Sequence, residues 1–404
     1  MNFIDGGVCA AKGFTAAGTH CGIRKNRTKN DIALIFSEQR AAAAAVYTTN
    51  LVKGAPIAVT RKNISDGYAQ AVICNSGNAN TCNSNGVFIA EETARLTGEA
   101  LKIPANDVVV ASTGVIGQPM FIEPFEQGIP VLVSKLSKSG SDEATEGIMT
   151  TDTVKKSVSV EFEISGKPVR IGGIAKGSGM INPNMATMLV FITSDCAIAP
   201  SMLQKALSDI VKKTFNMISV DGDTSTNDMV TVLANGLAGN ALINEEGPDY
   251  YEFYKGLYVV MESLCKKIAA DGEGATKLLE CVVKGGKDYE TCAICAKSVI
   301  SSSLLKAAMF GSDANWGRVL CALGYSGADI DVMKVSIAFQ SKAGRVEVCK
   351  NGFGIDFSEE LAKYVLSEKE ILIDISVGDS DTVAKAFGCD LTYDYVKING
   401  DYRT

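Results

Sequence analysis

The 404-residue chain has one histidine, His20, one tryptophan, no long basic run, and no apolar run near the ~18 residues a membrane helix needs. Each shortage removes a class of function. With a single histidine, any Ser-His or Cys-His scheme passes through His20 or does not exist. That residue stands in Gly18-Thr19-His20-Cys21-Gly22, a glycine-bounded stretch that reads as an exposed turn with a solvated imidazole. A net charge of −7 without concentrated positive charge argues against nucleic acid as the main partner. The first residues, Met1-Asn2-Phe3-Ile4-Asp5-Gly6-Gly7, lack the basic flank and apolar core of a signal peptide, so a cytoplasmic location without membrane attachment is expected. The 12 cysteines are scattered, and such a pattern without a secretion signal favours reduced core thiols over disulfides. The Cys-x-x-Cys pair, Cys292 and Cys295, lies in a stretch that reads as one helix over residues 289–309, on a face with Ala296, Val299 and Ala307. A zinc site would need further ligands at fixed spacing, and these are missing, so no metal is expected.

What the chain does have is an ordinary globular composition, 46% hydrophobic and 21% charged, with 39 glycines that imply many tight connections. Its length suits one large or two ordinary domains. The periodicity predicts strands at residues 32–36, 57–59, 71–74, 108–111 and 157–164, and helices at 87–103 and from Pro200 onward. Further on it predicts helices at 250–269, 358–365 and 382–387, alternating with strands at 277–283, 334–339, 345–349, 371–375 and 395–398. No internal repeat or Pro/Ser linker divides the chain. This mixed order predicts an α+β fold, with sheets facing each other and helices outside.

The chemistry is expected at a loop-to-strand junction. Lys176-Gly177-Ser178-Gly179-Met180-Ile181-Asn182-Pro183-Asn184-Met185-Ala186 is rich in turn formers, and Thr187 then opens the apolar run Met188-Leu189-Val190-Phe191-Ile192. A threonine hydroxyl at the edge of a rigid strand can attack the carbonyl before it. Hydrolysis of the resulting ester would release a chain that starts with Thr187. Its α-amino group, with an ordinary pKa of about 7.7–8.0, can then take the proton from its own hydroxyl. Such a nucleophile requires no histidine.

The 176–187 string resembles the self-cleavage motif of the ornithine acetyltransferase family, the bifunctional glutamate N-acetyltransferases of arginine biosynthesis. The resemblance extends, in order, through Asn75-Ser76-Gly77-Asn78-Ala79-Asn80, Ser112-Thr113-Gly114-Val115-Ile116-Gly117 and Thr150-Thr151-Asp152-Thr153. It continues through Val220-Asp221-Gly222-Asp223-Thr224-Ser225-Thr226-Asn227-Asp228, Asp271-Gly272-Glu273-Gly274-Ala275-Thr276, Asn315-Trp316-Gly317-Arg318 and the terminal Tyr395–Thr404. One departure is Thr81-Cys82-Asn83-Ser84-Asn85-Gly86, which lacks the family's Thr-Gly pair and is one residue shorter.

The resemblance implies a layered αββα sandwich shared with the DmpA-type aminopeptidases. It implies cleavage at Ala186-Thr187 into an α chain, 1–186, and a β chain, 187–404, assembled as a heterotetramer. The implied reaction is ping-pong transfer of an acetyl group from N-acetylornithine to glutamate through Thr187. No bound cofactor is implied, and acetyl-CoA is the co-substrate of the bifunctional type. Thr113 and Gly114 match the oxyanion-hole positions. Thr150, Lys176, Thr187, Glu273, Asn399 and Thr404 match substrate-binding positions, with Lys176 suited to an α-carboxylate and Glu273 to ornithine's amino group. Asp221-Gly222-Asp223 lacks the spacing of a calcium loop and reads as a hydrogen-bonded turn. The rival reading with the same nucleophile is a self-processing amidase or aminopeptidase, in which water takes the acyl group. A rival of another class is an uncleaved metabolite-binding protein.

Overall fold

The computed structural model describes residues 1–26, 28–182 and 188–401. The expected cleavage site, Ala186 and Thr187, and the terminal Thr404 lie outside the described residues. The chain forms two compact units, one of residues 1–177, 184–212 and 224–264, the other of residues 178–183, 213–223 and 265–404.

Among the described residues the first unit carries a sheet of nine strands. Its order is Asn2–Ile4, Lys156–Ile164, Lys167–Lys176, Leu189–Ser194, Met229–Ala234, Ile32–Tyr47, Tyr68–Asn75 and Val108–Ser112, with Phe14–Thr19 also paired to Ile32–Tyr47. The apolar run that follows Thr187 becomes Leu189–Ser194, antiparallel to Lys167–Lys176 and parallel to Met229–Ala234. All six of its residues are buried, as expected of an interior strand with no polar face. The register sets Lys176, Leu189, Met229 and Tyr47 side by side in one row across four strands.

In this unit one expectation is exceeded and one fails. The strand predicted at 32–36 runs on to Tyr47, through an irregularity between Phe36 and Ala41 and then five alanines. Alanine has little strand preference of its own, and here pairing on the sheet overrides it. Residues 57–59 are not a strand but part of the helix Ala55–Asn63, which has Pro56 in its first turn and Arg61 and Lys62 in its last. Three apolar residues carry too little periodicity to separate helix from strand.

The second unit carries a sheet of seven strands among the described residues, in the order Phe353–Gly354, Gly344–Lys350, Ser336–Ser341, Glu370–Ser376, Leu278–Lys284, Val383–Cys389 and Ile218–Ser219. Phe339, Ile373, Cys281 and Val283 pack from this sheet against Cys292, Cys295, Val299 and Ile300 of the helix Tyr289–Ser301. The cysteine pair is therefore fully buried core, as expected. The predicted single helix over 289–309 is broken, because Ser302 accepts a hydrogen bond from the Leu305 N–H and caps a second helix, Ser303–Phe310. That break turns Ala307 outward, so it is exposed.

Two further assignments exchange type. Residues 382–387 fall in the strand Val383–Cys389, where Ala384 and Ala386 face the core. Residues 395–398 fall in the helix Tyr393–Gly400, which buries none of its residues. The fold class stands as expected: α+β, built from two mixed sheets with helices. Among the described residues no single helix is long and apolar enough to cross a membrane.

Candidate active site

In the first unit, the strand Val108–Ser112 delivers Thr113 and Gly114 to a tight turn. Gly114 has φ 130°, and a Cβ there would lie 2.3 Å from the carbonyl carbon of Gly77 and 2.6 Å from the Asn78 nitrogen. Only glycine allows this approach. The flanking amides are used: Thr113 N–H donates to Asn75 O at 3.0 Å and Val115 N–H to Gly77 O at 3.3 Å. Among the described residues, however, neither the Gly114 N–H nor the Thr113 hydroxyl finds an acceptor. Two adjacent unused donors in a rigid turn are what an oxyanion requires.

Asparagines hold that turn. The Asn75 side chain accepts from Ser112 Oγ at 2.6 Å and donates to Asn78 O at 2.9 Å. Asn227 donates through Nδ2 to Ser112 O at 3.0 Å and to Ala79 O, and accepts from Thr81 Oγ1 at 2.6 Å. Two residues on, the Met229 N–H donates to Met188 O at 2.9 Å. Asn227 thus ties the base of the Thr113-Gly114 turn to the residue that follows position 187.

Lys176 enters from the other side of the same strand, paired in register with Leu189. It is 92% buried by its 8% exposure, yet the described residues give its ammonium neither a hydrogen bond nor an ion pair. Asp152 lies close by: it accepts from the Thr150 N–H at 3.0 Å, the Gly177 N–H at 2.7 Å and Lys156 Nζ at 2.7 Å. Burial opposes its ionisation, but the charges of Lys176 and Lys156 with these hydrogen bonds hold its carboxyl down at about 2. Asp228 behaves oppositely. Burial pushes its carboxyl well above the usual range against the opposing influence of Lys176, and its Oδ2 has no hydrogen-bond partner. Thr150 is half-buried at the edge of this group.

In the second unit, residues 178–182 form a braced segment. Ser178 Oγ donates to Asp271 O at 2.7 Å, and Ser178 O accepts from the Glu273 N–H at 2.9 Å. Asp221 accepts from the Met180 and Ile181 amides at 2.6 and 2.8 Å and from Tyr395 Oη at 3.3 Å. Asp221 is therefore a hydrogen-bonded brace, as its sequence context predicted. Glu273 is buried beside Gly179, where a Cβ would fall 2.4 Å from the Glu273 carboxylate. Asn399 Nδ2 donates to Glu273 Oε2 at 2.8 Å, so the helix Tyr393–Gly400 aims one expected site residue at another.

Thr113, Gly114, Thr150 and Lys176 thus belong to the first unit, and Glu273 and Asn399 to the second. Sequence reasoning did not single out Asn75, Asn227, Asp152 or Asp228. The signal was present for the last pair of strand neighbours: Asn227-Asp228 precedes an apolar run, Met229–Ala234, just as Ala186-Thr187 precedes its own. His20 departs from the expected solvated turn. It is half-buried, and its Nδ1, which has no hydrogen-bond partner among the described residues, lies 3.0 Å from Oδ2 of the fully buried Asp31. That carboxylate closes the turn by accepting from the Cys21, Gly22 and Arg24 amides. Among the described residues no cluster of His, Cys, Asp or Glu is placed to hold a metal ion.

Comparison with known proteins gives a consistent result. The model of the ArgJ family matches residues 15–404. The chain is 49% identical to the arginine biosynthesis bifunctional protein ArgJ of Caldanaerobacter subterraneus subsp. tengcongensis, with all of both chains covered. It is 50% identical to the arginine biosynthesis bifunctional protein ArgJ 1 of Clostridium acetobutylicum, over 97% of this chain and 96% of that one. Among solved structures it is similar to the arginine biosynthesis bifunctional protein ArgJ of Bacillus halodurans, with 46% identity and a TM-score of 0.50 over 53% of this chain and 99% of that chain.

Proposed function

Because the chain belongs to the ArgJ family, we propose that it is an acetyltransferase of arginine biosynthesis that moves the acetyl group of N-acetylornithine to glutamate through an ester on Thr187. The observation that carries this reading is the pair of unused donors at Thr113-Gly114, tied through Asn227 and Met229 to Met188.

In this reading the Thr187 hydroxyl first attacks the carbonyl of Ala186. Water then hydrolyses the resulting ester, leaving a carboxylate on Ala186 and a free amine on Thr187. In turnover, the amine takes the proton as Thr187 Oγ attacks the acetyl carbonyl, and the oxyanion accepts from Thr113 Oγ and Gly114 N–H. Collapse breaks the amide C–N bond and the proton passes to the departing ornithine amine. Glutamate's amine then attacks the acetyl ester by the same route. Lys176 takes the α-carboxylate common to both amino acids, beside Thr150. Glu273, oriented by Asn399, takes ornithine's side-chain ammonium, and Thr404 completes the substrate contacts.

Acetyl-CoA is proposed as a second donor to the same hydroxyl, with no resident cofactor. The proposed products of cleavage, chains 1–186 and 187–404, stay associated because Leu189–Ser194 is enclosed on both sides within its sheet. Two copies of each form the proposed cytoplasmic heterotetramer.

Initial rates measured while N-acetylornithine and glutamate are varied together test the scheme. Parallel double-reciprocal lines, and no activity or cleavage in Thr187→Ala, are expected. Intersecting lines rule out the acetyl-enzyme, and release of acetate at an equal rate without glutamate would make the protein an amidase.

A further inference from the structure

Asp152 is a heavily committed carboxylate of the first unit. It is buried, as is Lys156, and each side chain is 0% exposed. One oxygen accepts from Lys156 Nζ and the Gly177 N–H, both at 2.7 Å, and the other from the Thr150 N–H at 3.0 Å. These three donors are not equivalent. Thr150 and Gly177 are backbone groups of, or next to, residues proposed to meet the substrate, while Lys156 is a charge partner. Lys176, the neighbour of Gly177, receives no contact from the carboxylate. It is nonetheless buried and held in that carboxylate's field.

A buried ammonium without a nearby anion is costly, and one in direct contact with a carboxylate is occupied. Asp152 avoids both states. Its direct contact is with Lys156, and it fixes the backbone beside Lys176 while leaving that ammonium open.

We propose that Asp152 is the positioning residue of the substrate α-carboxylate site: it sets the backbone of Thr150 and Gly177 and supports the charge of Lys176 without engaging it. This rests on the acetyltransferase reading above. It makes Asp152 a determinant of carboxylate recognition that never touches the reacting atoms.

The test uses Asp152→Asn in the full-length enzyme, with glutamate and glutamate α-amide as alternative acceptors. Hydrogen bonds to charged groups are worth enough that KM for glutamate should rise about 10–100-fold, with kcat changed far less. With the α-amide, which has no charge for Lys176 to hold, the variant and the unaltered enzyme should give the same kcat/KM. Asp152→Asn leaves the buried Lys156 charge without its carboxylate and so endangers folding. The double variant Asp152→Asn/Lys156→Met removes both charges and should fold while keeping the glutamate defect. An equal loss with acid and amide, or no loss with either, overturns the proposal. Recovery of the glutamate KM in the double variant does so as well. An unaltered enzyme that transfers no acetyl group overturns the acetyltransferase reading itself, which separates the two failures.

Discussion

Replacing Thr113 by valine removes one hydroxyl and keeps the shape of the side chain. The backbone bond from Thr113 N–H to Asn75 O, 3.0 Å, does not involve the hydroxyl and should persist. The hydroxyl itself has no acceptor among the described residues, so the folded protein loses no internal hydrogen bond. Stability should therefore change by no more than about 0.5 kcal/mol. The transition state loses one of its two oxyanion donors, which commonly costs ~10²–10³ in kcat, or about 2.7–4 kcal/mol. Gly114→Ala makes the informative contrast. Its Cβ would fall 2.3 Å from Gly77 C at φ 130°, so this variant should lose both activity and thermal stability. The assay is kcat for acetyl transfer alongside a thermal melt. A Thr113→Val enzyme within about threefold of the original kcat, or one whose lost activity is matched by an equivalent loss of stability, would refute the oxyanion argument.

Three other outcomes are expected. Glu273→Gln keeps an acceptor for Asn399 and removes the charge, so KM for N-acetylornithine should rise about 10–100-fold while KM for glutamate moves little, as steady-state kinetics will show. Asp228 is held above the ordinary carboxyl range by burial, so the folded state binds its proton more tightly than the unfolded state does. Its unfavourable contribution therefore grows as pH rises above about 3.9, and Asp228→Asn should melt at the same temperature as the original protein near pH 4 but higher at pH 8. Asp152 has the opposite sign: depressed to about 2, it contributes stability that is full above its unfolded value and is lost as pH falls through about 2. Acid titration followed by circular dichroism should show this loss between about pH 4 and pH 2, and the Asp152→Asn/Lys156→Met variant should lack it.

The sequence marked the candidate site residues more clearly than the connections that hold them. Long apolar runs such as 189–192 and 108–111 announced buried strands, because only a strand covered on both faces suits them. Thr113-Gly114 and Lys176 stood out as candidates from motif and junction, and their roles rest on the proposal above. The alanine stretch 41–45 and the strand Val383–Cys389 were not, since residues of weak strand preference took their structure from neighbours distant in sequence. The same holds for Asn227. Its carbonyl partners, Ala79 and Ser112, lie more than a hundred residues earlier, and no local pattern specifies such a bond. Asp152 could be read as an acidic residue in a Thr-rich turn, but its pairing with Gly177 depends on the sheet that brings Lys156–Ile164 beside Lys167–Lys176.

The most direct measurement is the denatured intact mass of the purified protein before and after addition of N-acetylornithine without glutamate. The account predicts two fragments, ending at Ala186 and starting at Thr187. The second should gain one acetyl group that glutamate then removes. A single uncleaved chain that gains no acetyl mass would contradict it.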